Sequence, residues 1–294
     1  MCLLLTRPAL AQTPPGESTP ARSQTGAFDR GLLWKIGTGS PRPSYVFGTI
    51  HSADPRVVRL PSAVQAAFDE SEHFCLELVL DARASSVLAQ RMVLAQGHSL
   101  REVLGGPLFD AAVPVMAQRG VPEPALLRLK PWAVVMLLSG PRHKTGQVLD
   151  LSLYEIARQQ GKSICGLETV EEQVAVFDTA PVAEQVILLR DSVTRYAEQS
   201  ALLPRLIERY LARDLAGLVS ISQQSSPSDA AVRRVVDGFM QRLLAQRNPR
   251  LVDRMDAVIR SGGAFIAVGA LHLPGEQGVL RLLHQRGYTL EAIY

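Results

Sequence analysis

Two stretches of the sequence end in the same way. Ser44-Tyr45-Val46-Phe47-Gly48-Thr49-Ile50-His51 is an apolar run, a glycine, two further residues and a histidine. Ala264-Phe265-Ile266-Ala267-Val268-Gly269-Ala270-Leu271-His272 repeats that order near the other end of the chain. Each leads into a polar loop and then a helical pattern, starting at Pro61 in the first case and covering Gly278–Gln285 in the second. In open α/β sheets ligands gather beyond the carboxyl ends of the strands. A histidine that ends a strand there is held rigidly, and a nearby glycine lets backbone or ligand come close. A single such histidine would be read as a packed structural residue. Two in matching surroundings point to one shared ligand, a metal ion between His51 and His272 with Gly48 and Gly269 making room.

Metal sites ordinarily include a carboxylate. Glu77 is the first candidate, because Cys75-Leu76-Glu77-Leu78-Val79-Leu80 sets an acid inside an otherwise apolar predicted strand. A carboxylate buried without a partner is costly, so Glu77 must meet a cation, a metal or a donor; a core arginine would serve as well as a metal. Glu168 follows Gly166-Leu167 at another predicted strand end. Asp150 precedes an apolar helical pattern and reads equally as a site residue or as a plain helix N-cap.

Six segments read as the strands that must position these side chains: Leu33–Gly37, Ser44–His51, Phe74–Leu80, Ser163–Leu167, Ala264–His272 and Tyr288–Ile293. The first two, joined by Gly39-Ser40-Pro41-Arg42-Pro43, predict an opening hairpin. Continuous apolar runs suit strands covered on both faces. Helical patterns run over Pro61–Ser71 and Leu151–Gln160, and almost without a break from Pro181 to Ser261. There Val182, Val186, Leu189, Val193 and Tyr196 form one stripe, with Pro204 expected to end or kink its helix. Leu251, Met255, Val258 and Ile259 form another stripe, and both are read as core. The expected fold is α/β, a central, mostly parallel sheet flanked by helices with a long helical insertion.

The chain has 294 residues, 47% of them hydrophobic and 20% charged, with a net charge of +3, enough for one large core. Its charges are dispersed, so nucleic acid is not an expected partner. No apolar stretch reaches the roughly 18–20 residues needed to span a bilayer, so no transmembrane segment is expected. Residues 1–11 close on Ala9-Leu10-Ala11, an A-x-A arrangement of the kind cut by signal peptidase, and read as the remnant of a secretory signal peptide. Residues 12–30, rich in Pro, Ser, Thr and Gly, read as a flexible N-terminus, leaving 31–294 as the folded domain. The expected location is periplasmic or secreted. Cys75 and Cys165 are expected as free, buried thiols, the alternative being one disulfide in an oxidising compartment.

The ordered set of Leu33-Trp34-Lys35, Gly48-Thr49-Ile50-His51, Glu77, Gly166-Leu167-Glu168-Thr169-Val170-Glu171-Glu172-Gln173, Arg247-Asn248 and Gly269-Ala270-Leu271-His272-Leu273-Pro274-Gly275-Glu276 resembles the TraB/GumN family, which includes the Tiki proteins. The resemblance runs from about Gly31 to Tyr294. It implies a metal-dependent, peptidase-like hydrolase acting on a peptide or other small substrate with a divalent ion such as Mn, Co or Zn. Carried across, His51, His272 and Glu77 would bind metal, with Glu77 or Glu168 as general base and Arg247 or Asn248 stabilising an oxyanion. The alternative is a non-catalytic periplasmic binding protein for haem or a peptide.

Overall fold

A computed structural model describes residues 26–37, 39, 41–140, 147–224, 227 and 229–294. The expected remnant signal over 1–11, Cys2, and the expected flexible N-terminus up to residue 25 lie outside the described residues.

The apolar runs form a six-stranded sheet of β1 (Leu33–Gly37), β2 (Ser44–Thr49), β3 (His73–Leu76), β4 (Ser163–Gly166), β5 (Ala264–Gly269) and β6 (Thr289–Ala292), in the order β4-β3-β5-β2-β1-β6. The β4-β3-β5-β2 portion is parallel. β1 pairs antiparallel with β2, as the hairpin reading expected, and its other edge takes β6, also antiparallel. Every residue of β2 is buried and β5 is buried except at its last residue, as strands covered on both faces require. Phe47, Phe68, Phe74 and Phe265 meet ring against ring at 5.1–6.4 Å. Each ring, fully enclosed, stabilises the fold by about 1.5–3 kcal/mol and leaves the strands little freedom to shift.

The strands are shorter at their carboxyl ends than expected. β2 stops at Thr49, β3 at Leu76 and β5 at Gly269, and residues 270–272 turn into a 3₁₀ helix, Ala270–His272. Glu77, Glu168, His51 and His272 therefore follow strands and lie outside them, where side chains face the crevice.

Helices form much of the remainder. The expected helical region from Pro181 is present as Val182–Thr194, Tyr196–Leu211, Leu215–Gln224, Ala230–Met240, a π-helical turn Gln241–Ala245, and Asn248–Ser261. The break falls at Arg195 rather than at Pro204, which sits inside the Tyr196–Leu211 helix. Leu189, Val193 and Tyr196 are buried as the stripe expected, but Val182 is exposed at the helix start. A second block of helices between β3 and β4, from Ala82–Met92 to Pro131–Ser139, was not legible: Pro107, Pro114, Pro122, Pro124 and Pro131 interrupt its pattern. The two helical blocks pack together around Leu100, Phe109, Met116, Val134 and Leu189, a core separate from the one about the sheet.

Cys75 and Cys165 correct the expectation of free thiols. β3 and β4 are parallel neighbours with Cys75 paired directly to Cys165, their Cα atoms are 4.6 Å apart, and the two form a disulfide. The sequence placed both cysteines in strands but not the strands side by side.

Candidate functional site

The parallel strands end level. Across their carboxyl edge stand Glu168 after β4, Glu77 after β3, His272 after β5 and His51 after β2. Register brings the two glycine-histidine motifs side by side, Gly48 opposite Val268 and Thr49 opposite Gly269. The glycines interlock the motifs. A Cβ on Gly48 would come within 2.7 Å of the Leu273 side chain and 3.2 Å of Ala270 Cα, and one on Gly269 within 3.3 Å of Glu77 Oε1. Small residues at these positions let the turn carrying His272 lie against β2 and let Glu77 reach over β5.

Both imidazoles are gripped at Nδ1. Asn248 opens the Asn248–Ser261 helix; its Nδ2 donates to the Gln277 carbonyl at 2.7 Å, which turns Oδ1 toward His272 Nδ1 at 2.6 Å. An amide oxygen only accepts, so His272 carries its proton on Nδ1 and keeps Nε2 unprotonated. His272 is 4% exposed, and burial lowers its pKa, so the ring is neutral at neutral pH. His51 Nδ1 meets Asp150 Oδ2 at 2.8 Å, while Asp150 Oδ1 accepts from Thr49 Oγ1 at 2.6 Å. The hydrogen bond with Asp150 raises His51 from its ordinary 6.5 to about 9. Asp150 is the second residue of the Leu149–Gln159 helix, whose cap residue is Val148, so it is an orienting residue rather than a helix N-cap. The sequence did not single out Thr49; it sat within the first motif, where its hydroxyl was the available signal.

Glu77 sits between the histidine side and a buried arginine. Its Oε1 accepts from Gly269 N–H at 2.7 Å and lies 3.6 Å from His272 Nε2; its Oε2 accepts from Arg247 at 2.7 Å. Burial alone would raise the carboxyl, but His272, Arg247 and the Gly269 amide hold it at about 2. With His272 neutral at pH 7, Arg247 is the cation that keeps Glu77 ionised there. Arg247 also donates through Nε and Nη2 to Glu168 and through Nη1 to the Leu243 carbonyl. Glu168, whose side chain is fully enclosed, accepts in addition from Arg250 and Gln173. Arg247 thus links two carboxylates, as a salt bridge to a core arginine would, and Glu168 anchors it. Arg250 was missed: it lies one helical turn past Arg247 in a segment read only for its apolar stripe.

By residue type the donors suit a divalent cation, which would have to displace the proton of His51 on binding. Two imidazoles are oriented through Nδ1 by side-chain oxygens, the arrangement usual behind metal-ligating histidines, and an ionised carboxylate faces one Nε2. As placed, no three His, Cys, Asp or Glu side chains among the described residues stand close enough to hold an ion. The ring of His51 is 67% exposed, which leaves it the freest of the three donors to adjust. No helix among the described residues is long and apolar enough to cross a membrane.

Comparison with known proteins identifies the family. The family model described as TraB/PrgY/gumN family matches residues 32–292. The chain is 27% identical to Metalloprotease TIKI1 of Danio rerio over 94% of its own length and 66% of that protein's. It is 26% identical to Metalloprotease TIKI1 of Homo sapiens, covering 99% of this chain and 67% of that one. It thus spans about two thirds of the length of these relatives. It is also 24% identical to the uncharacterized protein YbaP of Escherichia coli (strain K12), covering 82% of this chain and 88% of that protein. No solved structure matches.

Proposed function

We propose that this chain, which belongs to the TraB/PrgY/gumN family, is a metal-dependent hydrolase that cleaves an amide bond of the peptide type. The observation that carries this reading is the matched pair of imidazoles, each gripped at Nδ1, with Glu77 facing the free Nε2 of His272. Relatives named metalloproteases support it. His51, His272 and Glu77 would hold a divalent ion such as Mn, Co or Zn. Such an ion, when bound, lowers the pKa of a water and polarises a carbonyl.

The chain's own residues divide the remaining work. Of the two glutamates, Glu77 borders His272 and is the group placed to receive a proton; Glu168 is enclosed and holds Arg247. Arg247 and Asn248 are engaged with carboxylates and with His272, so both are positioning residues rather than oxyanion donors. We also place the protein outside the cytoplasm, periplasmic or secreted; the Ala9-Leu10-Ala11 sequence and the Cys75–Cys165 disulfide support this.

The test is elemental analysis of the purified protein beside His51→Ala and His272→Ala, with peptide cleavage measured in parallel. Each single variant should lose most of the metal and the activity, and the double variant should be little worse than either, as expected of residues acting as a unit. Unchanged metal content in both variants would sink the shared site. A Soret band on haem addition, without peptide turnover, would establish the non-catalytic binding role instead.

A further inference from the structure

Beside His51 lies a cavity of about 340 Å³ whose walls come from the helical blocks and not from the sheet. Leu138, Leu188, Leu206, Val236 and Phe239 line it, with His51 closing the side toward the strand ends. Its polar wall residues are satisfied within the protein. Asp191 is paired with Arg195 at 3.5 Å and accepts from Gln199 at 3.4 Å. Ser139 and Ser192 turn their hydroxyls onto carbonyls one helical turn back, those of Val135 and Leu188. These walls offer an occupant dispersion contacts and removal from water, with no unbalanced charge to meet one of its own. The volume lies at the small end of ligand pockets.

We propose that this cavity is the subsite for a large apolar side chain, aliphatic or aromatic, of the peptide substrate, carried by a residue next to the bond that is cleaved. The occupant follows from continuity: His51 is both a wall of the cavity and a residue of the candidate metal site, so a chain whose amide lies at the histidines has its adjoining side chain at the cavity mouth. Selectivity then resides in the helical insertions, while the sheet edge supplies the chemistry. Only the position of the cleaved bond rests on the hydrolase reading; selective binding does not.

The test uses the full chain, with and without added Zn²⁺ or Mn²⁺, and fluorescein-labelled tetrapeptides that differ at one position, Phe or Leu against Gly or Asp. By fluorescence anisotropy the Phe and Leu peptides should bind about 10- to 100-fold more tightly, the effect of enclosing one such side chain. Leu206→Trp and Val236→Trp, which fill the cavity, should each erase that preference while metal content stays unchanged. Should these variants fail to fold, Phe239→Ala enlarges the space and should shift the preference toward naphthylalanine. Differences below about threefold, or a preference that survives filling, would overturn the subsite. Cleavage of all four peptides at similar kcat/KM would also overturn it while leaving the hydrolase intact. A binding preference without any cleavage supports the subsite and fails the hydrolase.

Discussion

At the scale of single residues the site is a set of constraints on protons and orientation. Asn248 fixes the tautomer of His272, and Asp150 with Thr49 orients His51. Asn248→Ala should weaken metal binding about 10- to 100-fold, read by competition with a chromophoric chelator, while circular dichroism stays unchanged. Asn248→Asp keeps an acceptor on Nδ1 and should restore most of the loss. Glu172 gives a separate, pH-dependent prediction. Its hydrogen bonds with Arg254 hold it at about 2, below its ordinary 4.5. A carboxyl depressed on folding stabilises fully above its unfolded value and loses that contribution as pH falls through 4.5 toward 2. Glu172→Gln should therefore lower Tm at pH 6 to 7, and the gap to the parent protein should close as pH falls toward 2. The pair is partly open to solvent, so the effect should not exceed about 1 kcal/mol.

At the scale of elements, two features set the strand ends in place. β2 and β5 are locked by the fit of Gly48 against Ala270 and Leu273. Gly48→Ala should cost about 1–3 kcal/mol by overpacking, read by urea unfolding, and should lower metal content because the displaced turn carries His272. β4, the edge strand, is tied to β3 by the disulfide. Intact-mass analysis without reductant should find the chain two hydrogens lighter than its sequence, and Cys165→Ser should lower stability by about 2–4 kcal/mol. The central strands were legible because each carries an apolar run, Tyr45–Phe47, Phe74–Leu76 and Ala264–Val268. Their ends were misjudged at His51, Glu77 and His272, because the apolar residues Ile50, Leu78 and Leu271 continue the pattern after the backbone has turned away. Neighbour relations between strands, and with them the disulfide, depend on contacts that no local pattern encodes.

At the scale of the molecule, the residues proposed to hold an ion were more legible than those that orient them. The histidines and Glu77 showed themselves by type and repetition. Arg247, Asn248, Glu168 and Asp150 were named, but their tasks emerged only when the helices bearing them came against the sheet. The cavity beside His51 had no signal of its own, because its apolar walls are leucines, valines and a phenylalanine drawn from helices distant in sequence. Leu189, Val193 and Tyr196 of the stripe that starts at Val182 were rightly read as buried, yet their neighbour Leu188 also faces this space.

The position of β5 in the sheet also bears on when the site comes into being during synthesis. β5 lies between β3 and β2, and β6 then closes on β1, with Leu32 and Leu33 both donating to the carbonyl of Tyr294. When synthesis has reached Gly263, β1 to β4 have been made, yet the sheet still has an empty slot at its centre. Until β5 and the turn after it arrive, His272 does not exist, Glu77 lacks the Gly269 amide, and β2 and β3 have no strand to join them. A nascent chain that stops short of β5 therefore lacks the assembled site, whatever chemistry that site performs.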